Sequence, residues 1–546
     1  MSEERRLLLA ILLAIAIYSA WSWLVVARRR ADLARPSPPA PQAERQKTSA
    51  IPPAMPPAVP PAAKPAAPAA PQQPEELVSL STPELSLVFS SRGGTLAHAI
   101  LRKGQYRRIV AGKEAPMDLV RGAGGALVVR FEGASWPDAP TADYSAQKDP
   151  SGKAVTFRRV AAGATITKRY EVVAPYLLSL RVTVIGGSAK ALAVTYAGEQ
   201  PPHEQRSGGF LGHLARSYPN VATAICRVDG TNKSSGSDKD QLLTLPAPPG
   251  TGVVQFGGID ERFFVAAVTP QGVRQGACAV SSSKSGHVEA EIDLPAESGK
   301  PIDRLLGVFL GPKDLDLLTR DSRLPGHDED AELATSIGFG FWTALCVPML
   351  RALQIFYRVV PNWGVAILVL TILMRLLLWP LNHAQYKSME KMKALQPKMA
   401  ALKEKYGKDK ERLNVEMMKV YTENKVNPLG GCLPMLVQLP IWWALYRLLG
   451  TTIQLYHQPF IPGWINDLTA ADPYFALPIF MGVTMAVTTL MSPQLPDSGQ
   501  QRLMMWLMPA MMTFFFLNLP AGLNLYIVAS NLLSIAQQAW VRRRAA

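Results

Sequence analysis

The sequence predicts an α-helical polytopic membrane protein that carries a large antiparallel β-sandwich outside the membrane. Three observations predict it. Apolar runs of membrane-spanning length stand near the start and crowd the last third of the chain. The segment between them alternates in period two. Lysine crowds one connection between apolar runs and is absent from the next. The 546 residues are 48% hydrophobic, with formal net charge +15. A nucleic-acid binder would spread such a charge over a soluble face, so DNA is set aside as a partner.

Residues 1–27 read as an N-terminal transmembrane anchor. Leu7 to Val26 is almost wholly apolar and runs on through Trp21, Trp23 and Leu24, longer than the apolar core of a cleaved signal peptide. Residues 28–75 form a Pro/Ala-rich periplasmic linker, because proline joins neither a helix interior nor a sheet ladder. Residues 76–328 contain "LSLVF", "AVTFRRV", "LLSLRVTV" and "HVEAEIDL", separated by Gly, Pro, Asp and Ser. Such runs are strands, and a long series of them makes a β-sandwich. It shows no nucleophile elbow, phosphate loop or paired catalytic carboxylates, and His98, His203 and His213 read as ordinary histidines. Cys226 and Cys278 share this domain. Two free buried thiols is the plain reading; a disulfide of an oxidising compartment is the sharper one. The cysteines lack metal-ligand spacing, so neither metal nor cofactor is expected.

Residues 329–360 read as an amphipathic interfacial helix. Arg351, Gln354 and Arg358 stand at i, i+3, i+7 among apolar residues, turned toward headgroups. Residues 361–546 hold five further spans, at Asn362–Leu381, Leu429–Leu449, Pro473–Met491, Leu503–Leu517 and Ala521–Trp540. With the anchor there are six, so both termini lie on one side. The connection 384–428 carries eleven lysines and arginines, and 451–472 carries none. The former and the C-terminus are therefore cytoplasmic, and the β domain is outside. Arg28, Arg29 and Arg30 oppose this orientation locally. Within 384–428, apolar residues recur at Met392, Leu395, Met399 and Leu402, then at Leu413, Met417, Val420 and Tyr421. That spacing predicts a helical hairpin. Its Lys403, Lys405, Lys408 and Lys410 suit contact with anionic lipids, the ribosome or partner proteins.

One charge stands inside an apolar run: Arg375, in "LVLTILMRLLLWPL". Arginine at the centre of a span costs at least about 2.5 to 3.5 kcal/mol. Snorkelling to the interface is the plain account. Thr371, Gln438, Asn524, Asn531, Ser534 and Gln538 suggest instead a wet cavity in the bundle. Met481, Met485, Met505, Met508 and Met512 lie in two neighbouring spans; ordinary packing and an adaptable lining that accepts many apolar sequences are both open.

The segments "NWGVAILVLTILMRLLLWPL", "AQYKSMEKMKALQPKM", "KVNPLGGCLPMLVQLPIWWALY", "DPYFALPIFMGVTM" and "LPAGLNLYIVASN" resemble the bacterial YidC membrane protein insertase family, in its Gram-negative form with a large periplasmic domain. The resemblance implies a β-supersandwich outside, a five-helix insertase core, and a hydrophilic groove open to cytoplasm and lipid. It implies that Arg375 is the groove's positive charge and that Thr371 and Tyr526 line it. It also implies a location in the bacterial inner membrane, nascent membrane proteins as clients, and work alone or with a Sec-type translocon. The long proline tether and Asn518 depart from the family pattern. With no Walker motif, insertion proceeds without nucleotide, and the chain is read as a non-enzyme. The alternative is a secondary transporter using Arg375 for an anionic solute, although no internal repeat is seen. A carbohydrate-modifying enzyme anchored by helices is a weaker third reading.

Overall fold

The computed structural model describes residues 74–110, 113–122, 125–199, 222–236, 240–246, 250–297, 300–327, 330–406, 409–424, 433–491 and 499–545. The expected anchor and nearly all of the linker, together with His203, His213, Lys408 and Cys432, lie outside the described residues.

Period-two alternation becomes one long antiparallel sheet. Its path runs from Val128–Glu132 through Ala191–Glu199, His287–Pro295, Gln275–Ser282, Gly252–Asp260, Phe264–Gln271, Ile302–Pro312, Leu177–Ile185, Ala164–Ala174 and Ala154–Ala161 to Ser145–Lys148. A three-stranded sheet, Leu77–Ser81, Leu85–Ser90 and Thr95–Leu101, packs against it. The inward set of one strand, Leu85, Leu87 and Phe89, is completely buried. Phe89 meets Tyr170 of the large sheet with ring centroids 4.7 Å apart.

Two side chains of Ala164–Ala174 hold the small sheet. Tyr170 donates its hydroxyl to the Gly94 carbonyl at 2.8 Å, and Lys168 donates its Nζ to the Gly93 carbonyl at 2.6 Å. Lys168 is buried, and desolvation pushes its ammonium down to about 7, against an opposing pull from Asp138. The unfolded chain titrates this lysine at its ordinary value, so between the two the unfolded state holds the extra proton. Stability contributed by this site is therefore lowest below about pH 7 and rises as pH climbs toward the unfolded value. The thermal midpoint of the β domain in the full chain should rise from pH 7 to about pH 10, and should rise less in Lys168→Met. Equal slopes in the two proteins would assign the rise to other groups.

Cys226 and Cys278 form a disulfide, with Cα atoms 6.0 Å apart. This corrects the reading as free thiols. Both residues face inward on strands that the fold brings together, although 52 residues separate them. Cys346 is free and buried.

After the last strand the chain turns helical. Helix α1, Leu315–Arg320, is capped by Asp314, whose side chain accepts from the amides of Asp316 and Leu317. Helix α2 is Thr343–Val359. It buries Cys346, Met349, Leu350 and Leu353, while Arg351 pairs with Asp316 of α1 at 2.7 Å. That arginine thus has a carboxylate partner at the end of the β domain. Helices α3, Trp363–Leu377, and α4, Trp379–Ala394, meet at a 64° bend. Pro380 in the first turn of α4 explains the break, since it donates no amide and favours a helix start. Helices α5, Gln396–Tyr406, and α6, Lys410–Glu423, pack through Leu395, Met399 and Tyr421 in a small core of their own. Then come α7, Leu433–Thr451; α8, Ala476–Met491; α9, Gly499–Phe516; and α10, Ala521–Ala545.

Among the described residues no single helix is long and apolar enough to cross a membrane; the bent pair α3–α4 is, by length and composition. The six-span count is therefore not reproduced. Helix α8 has 16 residues, about 24 Å at 1.5 Å per residue, and α10 carries Asn524, Asn531, Gln537 and Gln538.

Candidate functional site

Helices α3, α7 and α10 build a polar cluster around Arg375. Its Nε and Nη2 donate to Ser530 Oγ at 3.1 and 2.6 Å. Tyr526, one turn earlier on α10, accepts at its hydroxyl from Gln438 Nε2 at 2.9 Å. Thr371, one turn before Arg375, is buried and donates back to the Ile367 carbonyl at 2.7 Å. Among the described residues no carboxylate lies within ion-pair distance of the half-buried Arg375. Among the described residues its side-chain partner is one hydroxyl, and that partner carries no charge. A crevice of about 260 Å³ opens beside it, walled by Ile372, Leu376, Trp379, Leu533, Ala536, Gln537 and Trp540.

The remaining polar residues singled out from sequence stand elsewhere. Asn531 Nδ2 donates to Thr484 Oγ1 at 3.2 Å, and Gln538 Nε2 donates to the Met491 carbonyl at 3.0 Å. Both stitch α10 to α8. Ser534 donates to the Ser530 carbonyl of its own helix, and buried Asn524 donates to the Phe516 carbonyl at the end of α9. Helical geometry explains the split. Residues 526 and 530 lie one turn apart on one face, and 531 is turned about 100° from 530, while Ser534 follows one turn further on and spends its hydroxyl on its own helix.

The methionines divide too. Met481 is buried, Met485 and Met512 are half-buried, and Met508 is 38% exposed. The side chain of Met505 lies outside the described residues. The exposed apolar face of α8 is formed by Ile479, Val483, Val487 and Leu490, at helical spacing, and that of α9 includes Leu507, Met511 and Phe514. On the hairpin, Lys403 and Lys405 are exposed; nothing is described of the Lys410 side chain.

Opposite the hairpin, the connection 452–475 is a compact ordered loop. Asp472, fully buried, accepts from Trp464 Nε1 at 2.9 Å, the Tyr474 amide at 3.0 Å and the Leu477 amide at 2.7 Å. The loop joins the start of α10, where the Ala521 and Gly522 amides donate to Ala470 and Leu468. It also meets the β domain. Arg262 donates Nε to the Gly450 carbonyl at 2.8 Å, Phe263 packs on Tyr456, and the Tyr456 hydroxyl reaches the Arg107 carbonyl.

Two family models cover this architecture. The model of the YidC periplasmic domain matches residues 77–352, and that of the 60Kd inner membrane protein matches 355–546. A membrane protein insertase YidC of Anaeromyxobacter sp. (strain Fw109-5) is 37% identical over 99% of this chain and 97% of its own length. The chain belongs to the YidC family. The YidC-family insertase of Geobacter metallireducens is 32% identical, covering 99% of this chain and 98% of its own. A solved active YidC insertase with its first transmembrane domain resolved covers 85% of this chain and 92% of its own, at 18% identity and a TM-score of 0.37. The two YidC-family models meet inside α2, the helix that touches both the β domain and α7.

Sequence reasoning missed Ser530, the hydroxyl that holds Arg375. The signal was present: it stands four residues after Tyr526 and so shares its face. The buried role of Asp472 has no signal in its sequence neighbours.

Proposed function

We propose that this YidC-family chain inserts and folds inner-membrane proteins through a hydrophilic groove, without nucleotide hydrolysis, alone or beside a Sec-type translocon. The observation that carries the groove reading is the guanidinium of Arg375, set among apolar helices, held by a hydroxyl and without a carboxylate in ion-pair reach among the described residues. A charge in a partly enclosed cavity attracts an opposite charge more strongly than in bulk water. It draws in the acidic, hydrophilic tail of a client, whose apolar span then gains about 25 cal/mol per Å² as it leaves water. Thr371, Gln438, Tyr526 and Ser530 line the polar side; Asn524, Asn531, Ser534 and Gln538 hold the helices that frame it. The exposed faces of α8 and α9, with Met508, guide the apolar span, while Met481, Met485 and Met512 shape and pack beneath them; Met505 is proposed for the same lining from its place in the sequence alone. Relatives named insertases support the activity and lend nothing to the transporter alternative.

In this reading the chain is a six-span protein with the β domain outside, and the C-terminus and the 384–428 hairpin in the cytoplasm. The hairpin lysines meet ribosomes and anionic lipids. Purified chain in liposomes should insert a single-span client without nucleotide and should leave anionic solute uptake at the level of empty liposomes. Uptake without insertion would overturn the proposal.

A further inference from the structure

A crevice of about 570 Å³ lies on the β domain, between the three-stranded sheet and the hairpin Arg107–Val110/Lys113–Pro116. Arg102, Lys103 and Arg107 line it, with Glu114 as its one carboxylate. Arg107 pairs with Glu114 at 3.1 Å, so Arg102 and Lys103 remain as net positive charge. Ser81 and Ser86 also line it, and no partner of their hydroxyls is seen among the described residues. Ile100, Leu101 and Pro116 make its apolar part.

The frame is rigid. The Arg102 amide donates to Glu84, its Nη1 donates to the Thr82 carbonyl, and the Tyr106 amide donates to Lys103. Tyr106 is buried edge-on against Phe264. The crevice also has a defined neighbour. Gln458 Nε2 donates to Gln105 Oε1 at 3.0 Å, and the Tyr456 hydroxyl donates to the Arg107 carbonyl. The basic turn 102–107 therefore sits directly beside the loop that joins α7 to α8.

We infer that this crevice seats the headgroup of an anionic phospholipid of the outer leaflet. A guanidinium fork, an ammonium and two hydroxyls are the donors that an anionic phosphate ester takes up, and the apolar floor accepts its glycerol carbons. The inference rests on the outer placement of the β domain in the proposed function. Its role is to add a lipid contact beside those that already hold the domain at the 452–475 loop.

The test measures lipid retention by native mass spectrometry of the detergent-purified full chain, with Lys403, Lys405, Lys408 and Lys410 changed to Gln so that the hairpin adds no preference of its own, and with phosphatidylglycerol or phosphatidylcholine of the same acyl chains. Phosphatidylglycerol should bind about tenfold more tightly, and the preference should vanish in Arg102→Gln/Lys103→Gln/Arg107→Gln. Gly104→Glu supplies a second variant. A Cβ at Gly104 meets nothing within 4 Å, so the substitution adds a repelling carboxylate without displacing a neighbour. It too should abolish the preference, with the melting temperature unchanged. A preference that survives in both variants would overturn the inference. So would equal retention of the two lipids, displacement by inorganic phosphate at equal potency, or tighter binding of an acidic peptide. Lipid retention is read without a client, so its failure leaves the insertion assay standing, and the reverse.

Discussion

Arg375→Ala should slow insertion of clients with short acidic outer tails by about tenfold, the equivalent of 1.4 kcal/mol in the barrier. Clients with neutral tails should change much less, because their gain comes from apolar burial. The structure sharpens the conservative variant. Arg375 uses two nitrogens on one hydroxyl, and a lysine ammonium keeps the charge but loses the planar fork. Arg375→Lys should therefore retain most of the activity and respond to tail charge as the parent does. Ser530→Ala tests the seat itself: the charge remains while its described hydrogen-bond partner goes, so the response to tail charge should persist at a lower rate. The measurement is insertion rate into liposomes for one client whose tail is varied from acidic to neutral. A uniform loss at every tail charge in Arg375→Ala would sink the attraction model and leave Arg375 as a hydration or packing element.

Asp472→Ala should destabilise the 452–475 loop by roughly 3 kcal/mol, the cost of stranding donors that a buried carboxylate had satisfied. Three donors lose their acceptor at once: the Trp464 indole and the Tyr474 and Leu477 amides. The Leu477 amide lies in the first turn of α8, so the end of that helix frays as well. Asp472→Asn should cost less. Its carbonyl can serve Trp464 and Tyr474, which share one oxygen, while its amide faces the Leu477 donor. Hydrogen exchange of residues 452–480 in the full chain reads the effect directly. Protection equal to the parent in Asp472→Ala would show that the loop is held by its apolar contacts alone.

Several features were legible without coordinates because they rest on local rules. Alternation in "LLSLRVTV" and "HVEAEIDL" requires strands, since successive side chains point to opposite faces. The three-and-four spacing of Met392, Leu395, Met399 and Leu402 requires a helix, whatever that helix touches. Arg375 announced itself by cost alone, as a charge in an apolar run.

The tertiary structure decided what each of these meets. Polar residues on α10 looked like one set in sequence. Packing divides them, sending Tyr526 and Ser530 toward α3 and α7, and Asn531 and Gln538 toward α8. A one-residue step rotates a helical side chain by about 100°, so adjacent residues face different neighbours, and composition cannot say which. Cys226 and Cys278 are joined by strand order across 52 residues, a non-local fact with no local trace. Arg351 fits an interfacial helix by spacing, yet Asp316 takes it, because an exposed guanidinium pairs with whichever carboxylate the fold brings near. Local sequence determined the elements and marked the costly charge. Which side chains satisfy that charge depends on contacts between segments far apart in the chain, and only the folded arrangement sets those.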